Sequence, residues 1–378
     1  MKKVLFFVDN LDEGGVSKVL LDILENLDST KYKVTVKSLY GGGTYEERIK
    51  QYAEYESCFI IPEYDDTSLR SRLYRKYWGG MLRLPELIFS RWFIREQYDI
   101  EIAFVQGWST KFIGGSSNKK SKKIAWVHTD LVNWNAADGV FKDLSHHRKT
   151  YEKYDKVICV SHAVKNGMEQ KYNLVGCEVL YNPINKGRII EMSKDTTSYN
   201  YLEDGINLIT IGRLSYEKGY DRLITVCNKL NLNQINFRLL IIGEGIERNK
   251  LENLIYQFDL NDKVKLIGQQ ENPYKYLKSS DLFICSSRGE GFSLVVAEAM
   301  TLGVPVLTVD CAGPEELSNK GEFAMLVENT DQALFEGLKQ MIINNDLRNH
   351  YAQMASKGAH QFSLKIFMEN LQLILDEN

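Results

Sequence analysis

Two glutamates stand eight residues apart in the stretch SRGEGFSLVVAEAMTLGVPVL, across a predicted junction between a loop and a helix. Glu290 lies in the loop, and Glu298 lies in a helix predicted over residues 295–302, with Ser293 as its N-cap. At a rise of about 1.5 Å per residue, the two carboxylates would lie on the order of 10 Å apart. The catalytic carboxylates of retaining hydrolases lie about 5 Å apart, so the spacing disfavours such a pair.

The start of this helix is a predicted anion site. The backbone N–H groups of Phe292 to Val295 would point at a ligand in front of the helix, and unpaired amides together with the helix dipole favour a phosphate. The two glutamates could then hold the two ends of a phosphate-containing ligand. The alternative is that Glu290 is a loop charge and Glu298 a solvated helix residue, although the helix around Glu298 is otherwise apolar.

A second candidate site follows a predicted strand, in the sequence GRLSYEKG. It places Arg213 and Lys218 in one short loop between glycines, which allow a tight turn around a ligand. Two cations there could neutralise a diphosphate, because arginine binds phosphate oxygens through a bidentate fork and lysine acts as a point charge. The alternative is a solvated turn in which Arg213 pairs with Glu217.

Three further motifs lie at the ends of predicted strands, where open parallel sheets bind their ligands. Gly243 begins the sequence GEG before a helix, and it either directs that helix at a ligand or serves only as a connection. Gly268 closes another strand and could offer backbone groups to a base. His128, in WVHTD, could bond a sugar hydroxyl or transfer a proton, since its ordinary pKa is near neutrality. The alternative is a structural histidine bonded to Asp130.

These motifs need a scaffold of parallel strands, and the chain alternates strand-like with helix-like segments throughout. Strands are predicted at 4–8, 32–39, 57–61, 100–105, 123–127, 156–160 and 178–180, and again at 207–211, 237–242, 264–267, 281–285, 304–309 and 324–327. The pattern predicts an α/β protein of two doubly wound, Rossmann-like domains. We predict an N-terminal domain over 1–185, joined by a C-terminal helix within 361–378, and a C-terminal domain over 186–360 with a polar hinge at 186–205.

The first predicted strand leads into a glycine-containing loop and then a helix at about 16–27. The loop lacks the GxGxxG pattern, so it does not support a dinucleotide-binding fingerprint. Gly14 and Gly15 mark either a close approach of the backbone to a ligand or a plain entry to the helix.

The composition is typical of a folded protein of the cytoplasm. A length of 378 residues, with 44% hydrophobic and 26% charged residues, suits two domains and leaves no apolar run that could span a membrane. The six cysteines have no CxxC spacing and are expected to be reduced thiols. The pair His146–His147 has no further ligand at metal spacing, and no Asp-x-Asp occurs, so we expect neither a metal nor a cofactor.

Residues 69–95 form a basic segment that is rich in aromatic residues. The segment holds seven Arg or Lys against one Glu, and Lys119–Lys123 adds a second basic cluster. Such a surface suits an anionic membrane face or a lipid-diphosphate acceptor, and would place the protein peripherally on the inner side of the membrane. The alternative is a helix with a buried aromatic face and solvated arginines. Nucleic acid is not expected, because the phosphate loops point to a small ligand.

Together these residues resemble glycosyltransferase family 4, whose members are retaining enzymes of the GT-B fold. The resemblance is densest from Gly212 to Glu316, and its specific element is the E-x7-E pattern of Glu290 and Glu298 beside GRLSYEKG. It implies two Rossmann-like domains facing across a cleft. It also implies transfer of a hexose-type sugar from a nucleoside-diphosphate sugar, UDP by family frequency, to a glycan or lipid-linked acceptor in surface polysaccharide synthesis. One departure is the sequence GPEE at 313–316, where relatives often have two glycines.

The resemblance gives the candidate residues their roles. Arg213 and Lys218 bind the donor diphosphate, Glu290 contacts the donor sugar, Glu298 binds the ribose hydroxyls, and His128 lies beside the transferred sugar. The candidate donor-binding residues are Gly15, Arg213, Lys218, Gly243, Gly268, Glu290, Gly291, Phe292, Ser293, Leu294 and Glu298, and the catalytic ones are His128, Arg213, Lys218 and Glu290. The implied mechanism is front-face attack without a metal ion.

Two other functions stay open on the sequence alone. A nucleotide-sugar epimerase can share this fold, and it would act without an acceptor. A non-catalytic protein would bind the sugar nucleotide and never turn it over.

Overall fold

The computed structural model describes residues 1–12, 14–60, 69–196, 199 and 205–377, with the backbone alone at 69–71, 75 and 136. In this part of the chain two compact units are present. The first consists of Met1–Tyr181 together with Met368–Asn378, and the second of Asn182–Phe367. Each unit has its own parallel sheet with helices, so the predicted α/β class of two doubly wound domains is confirmed.

The first unit is built on a parallel sheet that has seven strands among the described residues, in the order β3-β2-β1-β4-β5-β6-β7. Its strands are β1 (Lys2–Val8), β2 (Tyr32–Gly41), β3 (Glu54–Ile60), β4 (Ile100–Ala103), β5 (Lys122–Val127), β6 (Lys156–Cys159) and β7 (Glu178–Val179). The central strand β1 pairs with β2 and β4, with Val4 opposite Val34 on one side and Ile100 on the other. Val4 to Val8 are buried, as expected for a strand covered on both faces.

Helices connect these strands in the crossover pattern of a parallel sheet. They are α1 (Gly15–Asn26), α2 (Glu46–Ile49), α3 (Leu69–Met81), α4 (Glu86–Phe93), α5 (Trp108–Gly114), α6 (Leu144–Tyr151) and α7 (His162–Tyr172). A 3-10 helix at Ala136–Val140 lies between β5 and α6. Helices α4 and α5 pack on each other through Phe89 and Phe112, whose ring centroids are 3.5 Å apart.

The second unit repeats this arrangement with a parallel sheet that has six strands within the described ranges, in the order β10-β9-β8-β11-β12-β13. The strands are β8 (Ile206–Ile211), β9 (Phe237–Ile242), β10 (Val264–Leu266), β11 (Leu282–Cys285), β12 (Val306–Val309) and β13 (Met325–Val327). The strand order reverses between β8 and β11. Such a switch point is where doubly wound sheets leave a crevice at the carboxyl ends of their strands.

The helices of the second unit cover both faces of its sheet. They are α8 (Lys186–Ser193), α9 (Tyr220–Leu232), α10 (Arg248–Gln257), α11 (Tyr274–Lys278), α12 (Leu294–Thr301), α13 (Ala312–Leu317), α14 (Asp331–Ile343), α15 (Asn345–Gly358) and the start of α16 (Leu364–Asp376). Short 3-10 helices lie at Tyr216–Lys218 and Ala359–Phe362. The apolar faces of α9, α10 and α14 form one core with the strands through Leu223, Leu251 and Leu338.

The unit boundaries differ from the predicted ones. The crossover falls after Tyr181 rather than after residue 185, because Ile184 forms a parallel bridge with Ser363 inside the second unit. The predicted hinge at 186–205 is wrong over its first part, since Lys186–Ser193 is helix α8, and its residues 197, 198 and 200–204 lie outside the described residues. The last helix starts in the second unit and enters the first at Met368.

The cysteines are free thiols, as predicted. Five of them are buried and Cys58 is half-buried. Burial raises the pKa of the Cys58 thiol to about 12, so that thiol stays protonated at neutral pH.

Candidate functional site

Glycines line the carboxyl ends of three neighbouring strands in the second unit. Gly212 follows β8, Gly243 follows β9 and Gly268 follows β10. The Gly243 N–H donates to the Gly268 carbonyl at 2.9 Å, and the Gly212 N–H donates to the Ile242 carbonyl at 2.9 Å. A side chain at Gly243 would collide with the Gly212 carbonyl. The three strand ends are therefore packed backbone to backbone.

Lys218 is held by the turn that begins α9. Gly219 has a φ of +69°, in the left-handed region, and a Cβ there would collide with the Ser286 carbonyl at the end of β11. The Ser286 hydroxyl also donates to the Lys218 carbonyl at 3.0 Å. This turn thus packs against the end of β11, and Lys218 lies beside the loop of Glu290.

Lys218 and Glu290 form an ion pair, with Nζ 2.6 Å from Oε1. The Ser287 hydroxyl donates to the same oxygen at 2.7 Å. The side chains of Lys218 and Glu290 are 25% and 11% exposed, so the pair is shielded but reachable. The structure thus brings together two predicted site residues that are 72 positions apart in the sequence. We call Lys218, Glu290 and Ser287 the charge cluster.

The charge cluster keeps both of its ionic groups available to a ligand. Burial would lower the pKa of Lys218, but the charge of Glu290 outweighs it and holds that pKa above its ordinary value. An ammonium has three N–H donors, and Lys218 uses one of them on Glu290. Both bonds to Glu290 fall on Oε1, so among the described residues Oε2 has no hydrogen-bond partner. A phosphate oxygen and a sugar hydroxyl could therefore add to the cluster.

Arg213 is exposed directly after Gly212 at the end of β8. Within the described ranges its guanidinium makes no ion pair with Glu217, so the alternative of a solvated turn in which Arg213 pairs with Glu217 is not what the structure shows. The backbone there is fixed, because the Ser215 N–H donates to the Arg213 carbonyl at 2.9 Å. The exposed Arg213 guanidinium and the partly buried Lys218 ammonium place two positive charges after the carboxyl end of β8.

The loop from Glu290 to Ser293 is packed against α13. The Gly313 N–H donates to the Glu290 carbonyl at 3.2 Å, and a Cβ on Gly313 would come within 2.8 Å of the Gly291 oxygen and the Phe292 Cα. The GPEE sequence, whose contacts the resemblance left open, therefore supports the backbone of the E-x7-E loop. A glycine is required at this close approach, since no side chain fits there.

Ser293 is at the N-cap position of α12, as predicted, and the helix begins at Leu294 rather than at residue 295. The Ser293 side chain makes no capping hydrogen bond. Ser293 therefore has the predicted N-cap position without the hydrogen bond of an N-cap. Phe292 and Leu294 are buried, and the Phe292 ring packs edge-on against Phe362 at 5.5 Å. The first turn of α12 is thus anchored by apolar packing rather than by a side-chain cap.

Glu298 is 4% exposed on α12. The Tyr274 hydroxyl lies 3.2 Å from Glu298 Oε1. A solvated helix charge would be exposed, so that alternative is excluded. A carboxylate that is buried to this degree needs polar partners, so Glu298 is a specific feature of α12 rather than a surface charge.

The other two candidate residues, Gly15 and His128, belong to the first unit. Gly15 is exposed and is the first residue of α1, after the loop that follows β1. His128 directly follows β5 and is 9% exposed. The structure places both at the carboxyl ends of strands in their own sheet. It assigns neither to the charge cluster, which is part of the second unit.

His128 is held as a neutral imidazole. Burial lowers its pKa to about 3, and its ring bonds to the Phe104 backbone. Its backbone N–H donates to Gln106 at 3.1 Å, whereas Asp130 accepts from the N–H groups of Val132 and Asn133 in its own turn. The predicted alternative of a His128–Asp130 pair is therefore not formed. With one ring nitrogen donating to a carbonyl, the buried Nε2 carries a lone pair that can accept from a hydroxyl.

Sequence reasoning missed Asp9, which follows β1. Its Oδ1 accepts from the Ser109 N–H at 3.0 Å and from the Ser109 hydroxyl at 2.6 Å. Burial raises the pKa of Asp9 to about 6, despite these hydrogen bonds. A carboxyl group of this kind, at the same sheet edge as His128, can bind a hydroxyl. The signal in the sequence was a single charge directly after a buried strand.

No group of three or more His, Cys, Asp or Glu side chains is arranged to hold a metal ion within the described part of the chain. His147 is fully buried, and its Nδ1 lies 2.9 Å from Asp138. The Tyr172 hydroxyl donates to the same carboxylate at 2.9 Å, and the His147 ring stacks on Phe141. His147 is therefore a packing residue of the first unit.

Segment 69–95 divides its aromatic residues between core and surface. Phe89 is fully buried, and Phe93 packs on it with centroids 4.6 Å apart. Tyr77 and Trp92 are 56% and 53% exposed. Further exposed apolar and basic side chains of α3, α4 and their flanks are Leu73, Leu87, Ile88, Arg72, Lys76, Arg83, Arg91 and Arg95. We call this outer face the basic apolar surface.

Over the described ranges, none of the helices has the length and apolarity that a membrane crossing requires.

Two family models match the chain. The model for Glycosyltransferase Family 4 matches residues 13–188, and the model for Glycosyl transferases group 1 matches residues 194–358. The first match contains Gly15 and His128, and the second contains the charge cluster and Glu298. Both halves of the predicted site therefore fall inside matched regions.

Relatives with named activities cover the chain to different extents. The N-acetylgalactosamine-N,N'-diacetylbacillosaminyl-diphospho-undecaprenol 4-alpha-N-acetylgalactosaminyltransferase of Campylobacter jejuni is 31% identical over 230 residues, which are 60% of this chain and 61% of that protein. This chain thus spans about three fifths of that relative. The amylovoran biosynthesis glycosyltransferase AmsD of Erwinia amylovora is 23% identical over 391 residues, with 100% of both chains covered.

Solved structures share the whole fold. The crystal structure of Anabaena HepE in complex with UDP-glucose superposes with a TM-score of 0.78 at 19% identity, covering 100% of both chains. The structure of TarM superposes with a TM-score of 0.77 at 15% identity, covering 100% of this chain and 99% of that one. At these identities the likeness shows the fold alone.

Proposed function

Because the chain belongs to glycosyltransferase family 4 and has the GT-B fold, we propose that it is a retaining hexosyltransferase that uses a UDP-sugar. Its acceptor is a glycan or a lipid-diphosphate-linked sugar of a surface polysaccharide pathway. The HepE complexes with UDP and UDP-glucose support the choice of nucleotide. The names of the Campylobacter and Erwinia relatives support the class of acceptor and pathway.

The charge cluster is the observation that carries this proposal. Lys218 and Glu290 lie 2.6 Å apart at the carboxyl edge of the second sheet, beside the open guanidinium of Arg213. A nucleoside-diphosphate sugar presents two negative phosphates next to neutral hydroxyls. The two cations match the diphosphate, Glu290 Oε2 matches a sugar hydroxyl, and buried Glu298 matches the ribose.

We infer a front-face reaction, which is the one that the family resemblance implies. The bond between the anomeric carbon and the diphosphate oxygen breaks, while the acceptor hydroxyl oxygen bonds to that carbon on the same face. The hydroxyl proton passes to an oxygen of the leaving diphosphate. Lys218, Arg213 and the amides at the start of α12 stabilise the charge that develops on the diphosphate, so we infer that no metal ion is needed. Neutral His128 can accept a hydrogen bond from a hydroxyl and supplies no proton.

Acceptor-dependent release of nucleotide is the expected result when the protein is incubated with UDP-, GDP- and ADP-sugars. The panel is run with and without lipid-diphosphate-linked acceptors, and in excess chelator. We expect one UDP-sugar to be consumed only when acceptor is present, at an unchanged rate in chelator. The product's anomeric configuration, read from its proton NMR coupling constants, should match that of the donor.

Each other outcome contradicts a definite part of the proposal. Epimerised sugar or free UDP without acceptor indicates an epimerase, and binding without turnover indicates a non-catalytic protein. Loss of activity in chelator overturns the metal-free mechanism. An inverted product overturns retention.

We propose further that the basic apolar surface docks the protein on an anionic membrane. Exposed Trp92 and Tyr77 lie among arginines on α3 and α4, a combination that inserts aromatic rings at the headgroup level and attracts anionic lipid. Phe89 packs α4 on α5, so Trp92 is presented by a helix that is anchored in the core. Docking would hold the enzyme where lipid-linked acceptors are located.

Replacing Arg72 and Arg91 by glutamate and Trp92 by serine should reduce binding to vesicles that contain phosphatidylglycerol. We expect a loss on the order of 10- to 100-fold, since each basic residue near such a surface contributes about 1 kcal/mol. Vesicle co-sedimentation at low and at physiological salt measures it. The matched control replaces Lys265 and Lys357 by glutamate and exposed Leu232 by serine, all in the second unit. Equal losses in both variants would contradict docking through this surface.

A further inference from the structure

We propose that Tyr274 is a positioning residue that fixes the Glu298 carboxylate for the ribose hydroxyls of the donor. The inference rests on the proposed function, which gives Glu298 its ribose contact. Tyr274 lies on α11, a different element from α12, and 24 positions from Glu298 in the sequence. The sequence pattern that selects the two glutamates does not include it.

The contact between the two side chains is shielded from water. The Tyr274 hydroxyl lies 3.2 Å from Glu298 Oε1, with Tyr274 5% exposed and Glu298 4% exposed. A carboxylate only accepts hydrogen bonds, so the phenol is the donor. In such surroundings a hydrogen bond to a charged group is stronger than in water, and its direction fixes the plane of the carboxylate.

Helix α11 is tied down at both ends, so the phenol has one orientation. At its start, the Tyr274 N–H donates to Asn272 Oδ1 at 3.1 Å, and Asn272 Nδ2 donates to the Met192 carbonyl of α8 at 2.8 Å. At its end, Lys278 Nζ donates to the carbonyl of Leu302, directly after α12, at 3.0 Å. These hydrogen bonds hold the five-residue helix in one position relative to α12.

A positioned carboxylate matters because two vicinal hydroxyls need two correctly placed acceptor oxygens. A hydrogen bond to a charged partner contributes about 1.5–3 kcal/mol, so the ribose contact should make binding on the order of 10- to 100-fold tighter. Without the phenol, Glu298 loses one of the hydrogen bonds that orient its carboxylate, and part of this gain is lost with it. The effect falls on donor binding, since the ribose is remote from the bond that breaks.

The experiment measures how strongly the enzyme distinguishes ribose from a sugar without its hydroxyls. Titration calorimetry compares UDP with 2',3'-dideoxy-UDP, with GDP and ADP pairs run alongside. We expect the wild type to prefer the natural diphosphate on the order of 10- to 100-fold. In Tyr274→Phe the preference should fall to a few-fold and the KM for the donor should rise about tenfold, with kcat nearly unchanged.

The chain offers a matched control in Tyr276→Phe. Tyr276 is on the same helix and donates to Gln270 at 3.1 Å, so this change removes a phenol hydroxyl without touching Glu298. Its preference should equal that of the wild type. Glu298→Gln should lose the preference, and adding Tyr274→Phe to it should change nothing further, as expected for two residues that act as one unit.

Two negative results have different meanings. If the wild type binds no diphosphate, or does not prefer the ribose form of the one it binds, the proposed function of the site fails. If the wild type shows the preference and Tyr274→Phe keeps it, Tyr274 only supports the core, even when that variant unfolds at a lower temperature. Circular dichroism on every variant separates loss of fold from loss of recognition.

Discussion

Replacing Lys218 by alanine is expected to lower kcat/KM for the donor by a factor on the order of 10² to 10³, the size of effect that follows removal of one group that stabilises leaving-group charge. Its ammonium is the shielded cation of the site, 25% exposed and fixed by Glu290. The exposed guanidinium of Arg213 cannot replace it, because a solvent-screened charge stabilises an anion less. The measurement is steady-state kinetics on the donor, with UDP affinity by calorimetry. We expect UDP to bind more weakly in this variant.

Lys250→Ala is the matched control for this variant. Lys250 belongs to the same unit, and its Nζ lies 2.6 Å from Glu247 in an ion pair that is open to solvent. Its removal should change kcat/KM by less than about twofold, as for an ordinary surface pair. If Lys218→Ala is folded by circular dichroism and keeps wild-type kcat/KM, Lys218 does not bind the diphosphate.

Replacing Glu290 by alanine should also lower kcat by orders of magnitude, but with the opposite effect on the nucleotide. The variant loses the acceptor for the sugar hydroxyls, and we expect kcat to fall on the order of 10² to 10³. It also frees the Lys218 ammonium from its counter-ion at 2.6 Å. UDP should therefore bind as tightly as to the wild type or more tightly, while the advantage of UDP-sugar over UDP disappears.

The opposed effects on UDP affinity distinguish a specific site from general damage. A misfolded site would weaken UDP binding in both variants, whereas the charge cluster predicts weakening only in Lys218→Ala. Glu252→Ala is the control, since its side chain is 48% exposed in a surface pair with Arg248 on α10. Wild-type turnover in Glu290→Ala would show that this carboxylate does not contact the transferred sugar.

Most of the scaffold could be predicted from the sequence because buried parallel strands leave a strong local signal. The strand at 237–242 was predicted with the observed bounds, and β1 and β8 differ only at their first residues. The hinge at 186–205 failed because a polar composition does not exclude a helix once its apolar face has a partner, and Ile189 of α8 is buried.

The candidate site could be predicted only in part, because spacing along the chain does not report on contacts between distant loops. The pattern selects Glu290 and Glu298, but the bond from Tyr274 and the close approach of Gly313 join different elements. Segment 69–95 shows the same limit. Its aromatic residues could not be divided into a buried and an exposed set until Phe89 was seen to pack on Phe112.

The last helix belongs in part to the first unit, so the first unit lacks contacts until this helix has been synthesised. The Lys2 ammonium donates to the Leu375 carbonyl at 2.9 Å, and the Tyr32 hydroxyl donates to Asp376 at 2.8 Å. Leu371 and Leu375 are fully buried there. These residues leave the ribosome after the whole second unit, so β1 and β2 lack these contacts for most of synthesis. The first unit is therefore begun before the second on the ribosome and completed after it.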